Sequence, residues 1–141
     1  MAGYLVGRAA RVVRNVVPLP NALRSAAIAR RSMEEFADDS GAGEDEKGAL
    51  VVIASELVTN AIMHGAPPIT LSVSYNEGEI TVEVSDGDPR VENVGVPLTD
   101  EATPGGRGLR VVAALADRWG TRRSQPGKTV WAARALRFAV S

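Results

Sequence analysis

Two short segments in the middle of the chain alternate between apolar and polar residues, over residues 69–75 and again over residues 80–84. Successive side chains of a strand point to opposite faces, so this alternation predicts two strands that each bury one face. Asn76, Glu77 and Gly78 lie between the segments and are typical of a tight turn. The pattern therefore predicts a β-hairpin.

Longer segments carry apolar residues at the three- and four-residue spacing of amphipathic helices. The first covers residues 21–37 and has Asn21 as a candidate cap. The second begins at Glu44, where negative charge favours a helix N-terminus, and it ends at Gly65. A third helix is expected after the glycines of residues 105–108.

Three further segments complete the predicted sheet. The valine-rich residues 11–17 are expected to form an edge strand that Pro18 and Pro20 end, and residues 118–124 and 129–138 are expected to form the last two strands. The resulting order is strand, helix, helix, strand, strand, loop, helix, strand, strand. It predicts an α/β (α+β) two-layer sandwich, in which helices cover one face of a mostly antiparallel mixed sheet. The 141 residues suffice for one such domain.

Residues 87–106 separate the hairpin from the third helix and are rich in glycine and proline. Few large apolar side chains are available to anchor this segment, so we expect a long loop here. Loops of that length inside one domain are uncommon, and they are usually functional lids or disordered segments.

The composition excludes several kinds of site. The chain has no cysteine, which excludes disulfides, thiol nucleophiles and zinc fingers. No apolar run approaches the roughly 18 residues of a membrane-spanning helix, and we expect a cytoplasmic protein. Residues 1–33 hold six arginines and no acidic residue, whereas residues 34–101 hold sixteen acidic and two basic residues. The basic N-terminal part leaves nucleic-acid binding open, although no helix-turn-helix or aromatic platform supports it.

Three local patterns point to a ligand site. Glu56 and Asn60 lie four residues apart in the second predicted helix, so they share one face, where a carboxylate and an amide oxygen suit a hard cation. Asp86 follows a predicted strand and can accept a hydrogen bond from an exocyclic amine, while Gly87 allows close backbone approach. The glycines of residues 105–108 precede a helix, so backbone N–H groups can face phosphates. Each pattern alone also occurs as an ordinary helix surface or turn.

The order of these patterns, with a hairpin and a lid between them, resembles that of the Bergerat-fold ATPases. Within that superfamily, the chain resembles the small actinobacterial anti-sigma-factor serine/threonine kinases. The motifs that carry the resemblance are Ser55-Glu-Leu-Val-Thr-Asn-Ala61, His64-Gly65, Gly106-Arg-Gly-Leu109 and Ala116-Asp-Arg-Trp-Gly120. The resemblance covers most of residues 18–138, and residues 1–17 match only loosely, as one edge strand.

The resemblance implies a role for each matching residue. Asn60 corresponds to the asparagine that holds Mg²⁺ against the triphosphate, and Glu56 corresponds to the acid that activates the attacking serine hydroxyl. Asp86 corresponds to the aspartate that binds adenine, and Thr129 to the strand threonine that supports it. Residues 87–106 correspond to the ATP lid. The ATP-binding residues implied in this way are Asn60, Asp86, Gly87, Gly106, Arg107, Gly108, Leu109 and Thr129.

The function implied by the resemblance is an ATP- and Mg²⁺-dependent protein serine/threonine kinase that acts as an anti-sigma-factor switch. Its partners would be a sigma factor and an anti-anti-sigma protein of the STAS type, without nucleic-acid or membrane partners, and a homodimer is a further expectation. One departure bears on this function, because the family has glycine where this chain has Asp88, which adds a carboxylate near a polyanionic ligand. The alternative is therefore a nucleotide-binding regulatory module that sequesters a partner without phosphotransfer.

Overall fold

A computed structural model describes residues 4–7, 12–91 and 106–137, in which three helices cover one face of a six-stranded sheet. The strands are β1 (Tyr4–Gly7), β2 (Val12–Leu19), β3 (Ile69–Asn76), β4 (Glu79–Asp86), β5 (Arg118–Arg123) and β6 (Lys128–Ala135). The helices are α1 (Ser25–Asp39), α2 (Glu44–His64) and α3 (Gly106–Leu115).

The strand order in the sheet is β1-β2-β3-β4-β6-β5, and every described pairing is antiparallel. The chain leaves β4, passes through α3 to the edge strand β5, and returns to the sheet interior as β6. β4 and β5 therefore run parallel to each other, but β6 separates them. The predicted α/β (α+β) two-layer sandwich with helices on one face is confirmed, whereas the sheet is antiparallel in every described pair instead of mixed.

The hydrophobic core lies between the sheet and the helices. Burial in β3 and β4 alternates along the strands as the sequence pattern predicted, and the buried apolar residues are Ile69, Leu71, Val73, Ile80, Val82 and Val84. They face the apolar sides of α1 and α2, whose largest fully buried side chains are Met33, Phe36, Leu50, Ile53 and Leu57. Burial of this apolar surface holds the two layers together.

The predicted hairpin is confirmed, since β3 pairs with β4 along their full length. Glu77 and Gly78 form its two-residue turn and have φ angles of 52° and 80°. Positive φ at both turn positions produces a backbone twist that matches the right-handed twist of the flanking strands. The turn therefore sets the register that brings Asp86, at the far end of β4, to the edge of the helical layer.

The N-terminal part differs from the predicted single edge strand over residues 11–17. β2 continues through Pro18 to Leu19, and β1 pairs with its other side and forms the sheet edge. Within the described residues, β1 pairs only with residues 12–15 of β2. Pro18 lies beyond that pairing, so its missing N–H donor does not interrupt a ladder there.

α1 begins later than predicted, at Ser25 instead of directly after an Asn21 cap. The intervening residues form hydrogen-bonded turns, and Ser25 Oγ donates a hydrogen bond to the Pro20 carbonyl oxygen at 2.5 Å. α2 has the predicted bounds, with acidic residues in its first turn from Glu44 onward and Gly65 directly after its last residue.

Only part of the segment between β4 and β5 can be compared with the prediction. Of the expected lid over residues 87–106, residues 92–105 lie outside the described part of the chain. α3 already includes Gly106 and Gly108, so the helix begins within the glycine segment instead of after it. Among the helices that are described, none is long and apolar enough to cross a membrane.

Candidate functional site

Asp86 is the last residue of β4, and its side chain is almost completely buried. Its Oδ1 accepts hydrogen bonds from the backbone N–H groups of Asp88 at 2.7 Å and of Ala66 at 3.4 Å, and from Lys128 Nζ at 3.2 Å. Its Oδ2 accepts no hydrogen bond from any described residue. One carboxylate oxygen is therefore committed to the protein, and the other is available to a ligand.

The end of β4 lies against the C-terminus of α2 with no side chain between them. A Cβ atom at Gly65 would lie 2.5 Å from Asp86 Cγ and 2.6 Å from Asp86 Oδ2. The Gly87 N–H donates a hydrogen bond to the Ala66 carbonyl oxygen at 2.6 Å, and a Cβ atom at Gly87 would meet the Pro67 carbonyl oxygen. Glycine is needed at Gly65 because the Asp86 side chain occupies the space of a Cβ atom, and at Gly87 because the backbone of Pro67 does so.

Lys128 belongs to this site, although the sequence patterns above did not single it out. It lies opposite Asp86 in the β4–β6 register and is 1% exposed, and its Nζ also donates to the Asp88 carbonyl oxygen at 3.1 Å. A signal was present, because Lys128 shares one strand face with the buried residues Val130 and Ala132. Lysine is rarely fully buried unless it is paired, so this alternation indicates a carboxylate beside it.

Glu56 and Asn60 lie one turn apart in α2, as their spacing predicted. Asn60 is 4% exposed, and its side-chain amide makes no hydrogen bond with any described residue. Glu56 is half-buried and likewise has no hydrogen bond or ion pair within the described part of the chain. Among the described residues, the fully enclosed polar side-chain atom without a partner is Asn15 Oδ1, so the Asn60 amide retains access to solvent and can bind a ligand on this face of α2.

α3 packs against α2, and the end of α3 lies near the start of α2, because one arginine contacts both. Arg134 joins the two helices at one end, because Nη1 donates to the Leu115 carbonyl oxygen and Nε lies 2.6 Å from Glu46 Oε1. From Leu115 back to Gly106, α3 extends about 14 Å at 1.5 Å per residue. The start of α3 therefore lies at about the level of Glu56 in α2.

The predicted site residues of α3 have two different environments. Gly106, Arg107 and Gly108 form the first turn of the helix, where backbone N–H groups have no partner within the helix and can serve an anion. The side chain of Arg107 lies outside the described residues. Leu109 is 2% exposed and belongs to the hydrophobic core, so it secures the start of the helix by packing.

Thr129 follows Lys128 in β6 and lies beside Asp86 without bonding to it. Its Oγ1 shares hydrogen bonds with Ser85 Oγ at 3.0 Å and with Ser124 Oγ at 2.7 Å. These bonds tie the start of β6 to β4 and to the end of β5. The side-chain hydrogen bond to Asp86 from β6 comes from Lys128, not from the threonine.

Asp88 occupies the position where the resemblance leads us to expect glycine, and its carboxylate is paired with Arg90. Arg90 Nη2 lies 2.8 Å from Oδ2, Arg90 Nε lies 3.0 Å from Oδ1, and the Arg90 N–H donates to Oδ1 at 2.9 Å. These hydrogen bonds hold the pKa of the Asp88 carboxyl well below its ordinary value, and the charge of Lys128 lowers it further. The guanidinium neutralises this carboxylate, which reduces the expected repulsion of a polyanionic ligand.

The chain matches the histidine kinase-like ATPase domain family over residues 19–134. A comparison with curated proteins found no match. Among solved structures, the chain resembles the crystal structure of the RsbU and RsbW domains of Rv1364c from Mycobacterium tuberculosis, with a TM-score of 0.67 and 20% sequence identity. The similarity covers 87% of this chain and 32% of that chain, and it shows a shared fold. Because the family match includes α2, β4, α3 and nearly all of β6, the chain belongs to the histidine kinase-like ATPase domain family.

Proposed function

We propose that this protein is an ATP- and Mg²⁺-dependent protein serine/threonine kinase that acts as a cytoplasmic anti-sigma-factor switch. Its substrate would be an anti-anti-sigma protein of the STAS type, and its second partner would be a sigma factor. The family membership, the motif resemblance and the fold shared with a structure that contains an RsbW domain support this proposal.

The observation that carries the proposal is the presence of two uncommitted polar groups near the end of α2. Asp86 Oδ2 lies against Gly65, and the Asn60 amide lies five residues earlier, which is about 8 Å along the helix axis. An uncommitted acceptor at one point and an uncommitted amide at the other suit a ligand with an amine at one end and a charged group at the other. A nucleotide triphosphate with an adenine base has both.

Each end of the nucleotide would meet a different kind of protein group. The exocyclic amine of adenine would donate a hydrogen bond to Asp86 Oδ2. The first turn of α3, which includes Gly106 and Gly108, would face the phosphates with backbone N–H groups and the positive end of the helix dipole. Asn60 would hold Mg²⁺ through its amide oxygen, and the ion would supply neutralisation of phosphate charge.

Glu56 would act as the general base for phosphoryl transfer. Its carboxylate takes the proton from the substrate serine hydroxyl, the serine oxygen forms a bond to the γ-phosphorus, and the bond between that phosphorus and ADP breaks. The absence of an ion pair or hydrogen bond to Glu56 from the described residues leaves both of its oxygens available for this role. The phosphoserine formed carries close to two negative charges, which can break a packed interface and so switch partners.

Single-turnover transfer of labelled phosphate to a cognate anti-anti-sigma protein tests this function. Glu56→Gln keeps the size of the side chain but removes the base, so it should lower phosphotransfer by about 10²- to 10⁴-fold while ATP affinity stays nearly unchanged. Asn60→Ala should lower both the phosphotransfer rate and the affinity for Mg²⁺-ATP, because it removes a cation ligand. The matched control is Glu34→Gln, at an exposed position of α1, which should leave both quantities unchanged.

Two outcomes would contradict the proposal. If Glu56→Gln transfers phosphate at the wild-type rate, Glu56 is not the base. If the wild-type protein binds ATP tightly but transfers phosphate to no cognate partner, the chain is a nucleotide-binding module that sequesters its partner.

A further inference from the structure

The ion pair between Lys128 and Asp86 joins two side chains that are each 1% exposed. We infer that Lys128 is a positioning residue that turns the Asp86 carboxylate so that only Oδ2 faces the ligand, and that it thereby makes the site select bases with an amino group. This inference rests on the proposed function, because it concerns the nucleotide site of the proposed kinase.

Lys128 is held at two points, which makes its ammonium group a rigid anchor. Nζ donates to Asp86 Oδ1 at 3.2 Å and to the Asp88 carbonyl oxygen at 3.1 Å. The Asp88 N–H donates in turn to the same Oδ1 at 2.7 Å. Rotation of the carboxylate plane by about a quarter turn about the Cβ–Cγ bond would break these bonds, whereas a half turn only exchanges two equivalent oxygens, so the donors fix the plane in which the second oxygen faces the ligand.

The backbone directly before Lys128 packs closely on the end of β4. A Cβ atom at Gly127 would contact the Asp86 carbonyl oxygen and the backbone of Gly87 and Asp88. The β5–β6 connection therefore packs directly on the end of β4, and the lysine side chain enters beside this contact. Because Lys128 is buried, bulk water does not readily take the place of its ammonium group at Oδ1.

The consequence for recognition follows from the hydrogen-bonding capacity of a carboxylate. An ionised carboxylate oxygen only accepts hydrogen bonds. With Oδ1 engaged by Lys128 and two backbone groups, Oδ2 is left to meet the ligand. A 6-amino group can donate to Oδ2, whereas a 6-oxo group at the same place would bring two acceptors together, which leaves both unpaired and repels.

The test compares Mg²⁺-ATP with Mg²⁺-ITP, whose bases differ in carrying a 6-amino or a 6-oxo group. Equilibrium titration of the wild-type full chain should show tighter binding of ATP. Lys128→Met keeps the length and apolar stem of the side chain but removes the ammonium group. We expect the ratio of the two affinities to fall by about tenfold, the scale of losing a hydrogen bond to a charged group, while ITP affinity changes little.

A double-mutant cycle tests whether Lys128 acts through Asp86. In an Asp86→Asn background, Lys128→Met should leave the ATP-to-ITP ratio unchanged, because the carboxylate that it orients is absent. The matched control is Lys47→Met, at the only other lysine of the chain, which is paired with Asp38 at 3.1 Å at the surface. This control should keep the wild-type ratio. Lys128→Gln retains a neutral hydrogen-bond donor, so it should give an ATP-to-ITP affinity ratio between those of the wild type and Lys128→Met. This variant serves as the test if Lys128→Met does not fold.

Several outcomes would overturn the inference. It is wrong if Lys128→Met retains the wild-type ratio, or if the variant weakens ATP and ITP equally, since equal loss indicates a purely structural lysine. It is equally wrong if Lys128→Met changes the ratio in the Asp86→Asn background. Selective ATP binding without phosphotransfer would overturn the proposed kinase function and leave the inference intact, so the two failures can be told apart.

Discussion

Gly65 and Asp86 are in contact across the end of α2 and the end of β4, such that a Cβ atom at Gly65 would lie 2.5 Å from Asp86 Cγ. Because residue 65 has no side chain, the carboxylate can lie against the helix terminus, and its Oδ2 accepts no hydrogen bond from the described residues. A single methyl group at this position therefore tests both the packing and the ligand site.

Gly65→Ala should lower the free energy of unfolding by about 1–3 kcal/mol, the usual cost of overpacking, and should abolish nucleotide binding. The effect is steric, since Gly65 has an extended backbone with φ −104° and ψ −156° that alanine can adopt. Urea unfolding and ATP titration measure the two effects.

Gly48→Ala, inside α2, is the matched control. A Cβ atom there has no neighbour within 4 Å, so the change should stabilise the protein by about 0.5–1 kcal/mol through helix propensity. Wild-type ATP affinity in Gly65→Ala would refute the position of the ligand at Asp86 Oδ2.

Asp86→Asn should remove most of the stabilisation that nucleotide gives to the folded protein. ATP with Mg²⁺ at about 100 times its dissociation constant should add roughly 2.7 kcal/mol to the free energy of unfolding of the wild-type protein. The melting temperature with and without nucleotide measures this difference. The control Glu77→Gln, in the exposed turn at the opposite end of β4, should keep the full stabilisation by ATP with Mg²⁺. A wild-type melting curve that saturating ATP does not change would contradict nucleotide binding altogether.

The ion pair of Asp88 with Arg90 predicts a pH dependence of stability. Because Arg90 holds the pKa of Asp88 well below its ordinary value of 3.8, ionised Asp88 stabilises the folded state at neutral pH. This contribution should be complete above about pH 5 and should be lost as the pH falls below 4 toward the lowered pKa of the folded state. The unfolding free energies of the wild type and Asp88→Asn should therefore differ most at pH 7 and converge in acid.

The comparison variant for this pair is Arg90→Met. Without the guanidinium, the pKa of Asp88 should rise toward its ordinary value, which carboxyl NMR titration measures directly. If the unfolding free energies of the wild type and Asp88→Asn differ by a constant amount from pH 7 to pH 3, the ion pair between Asp88 and Arg90 does not form.

The two lysines of the chain should differ strongly in reactivity toward an amine-specific reagent. Lys47 lies at the surface, where the reagent can reach its amine even though hydrogen bonds to Asp38 and Glu44 raise its pKa, whereas Lys128 is buried. Labelling of the folded protein, followed by digestion and mass spectrometry, should therefore modify Lys47 and spare Lys128. In denaturant both should react. Rapid labelling of Lys128 under native conditions would contradict its burial against Asp86.

The sequence by itself determined the strands and helices whose apolar and polar residues repeat at a regular, short spacing. The alternation of residues 69–75 and 80–84 defined the hairpin, because a period of two fits only a strand with one buried face. The spacing of Glu56 and Asn60 placed both on one face of a helix, since four residues make about one turn. The same local motifs pointed to the family to which the chain belongs.

The tertiary structure alone decided which distant residues became neighbours. The sequence placed residues 11–17 as an edge strand, but the outer position belongs to β1, and nothing local indicates that β6 lies between β4 and β5. That strand order sets Lys128 opposite Asp86 across 42 residues of sequence. Hydrophobic periodicity reports which face of a strand is buried but not which strand lies beside it, and the orientation of the Asp86 carboxylate depends on that neighbour.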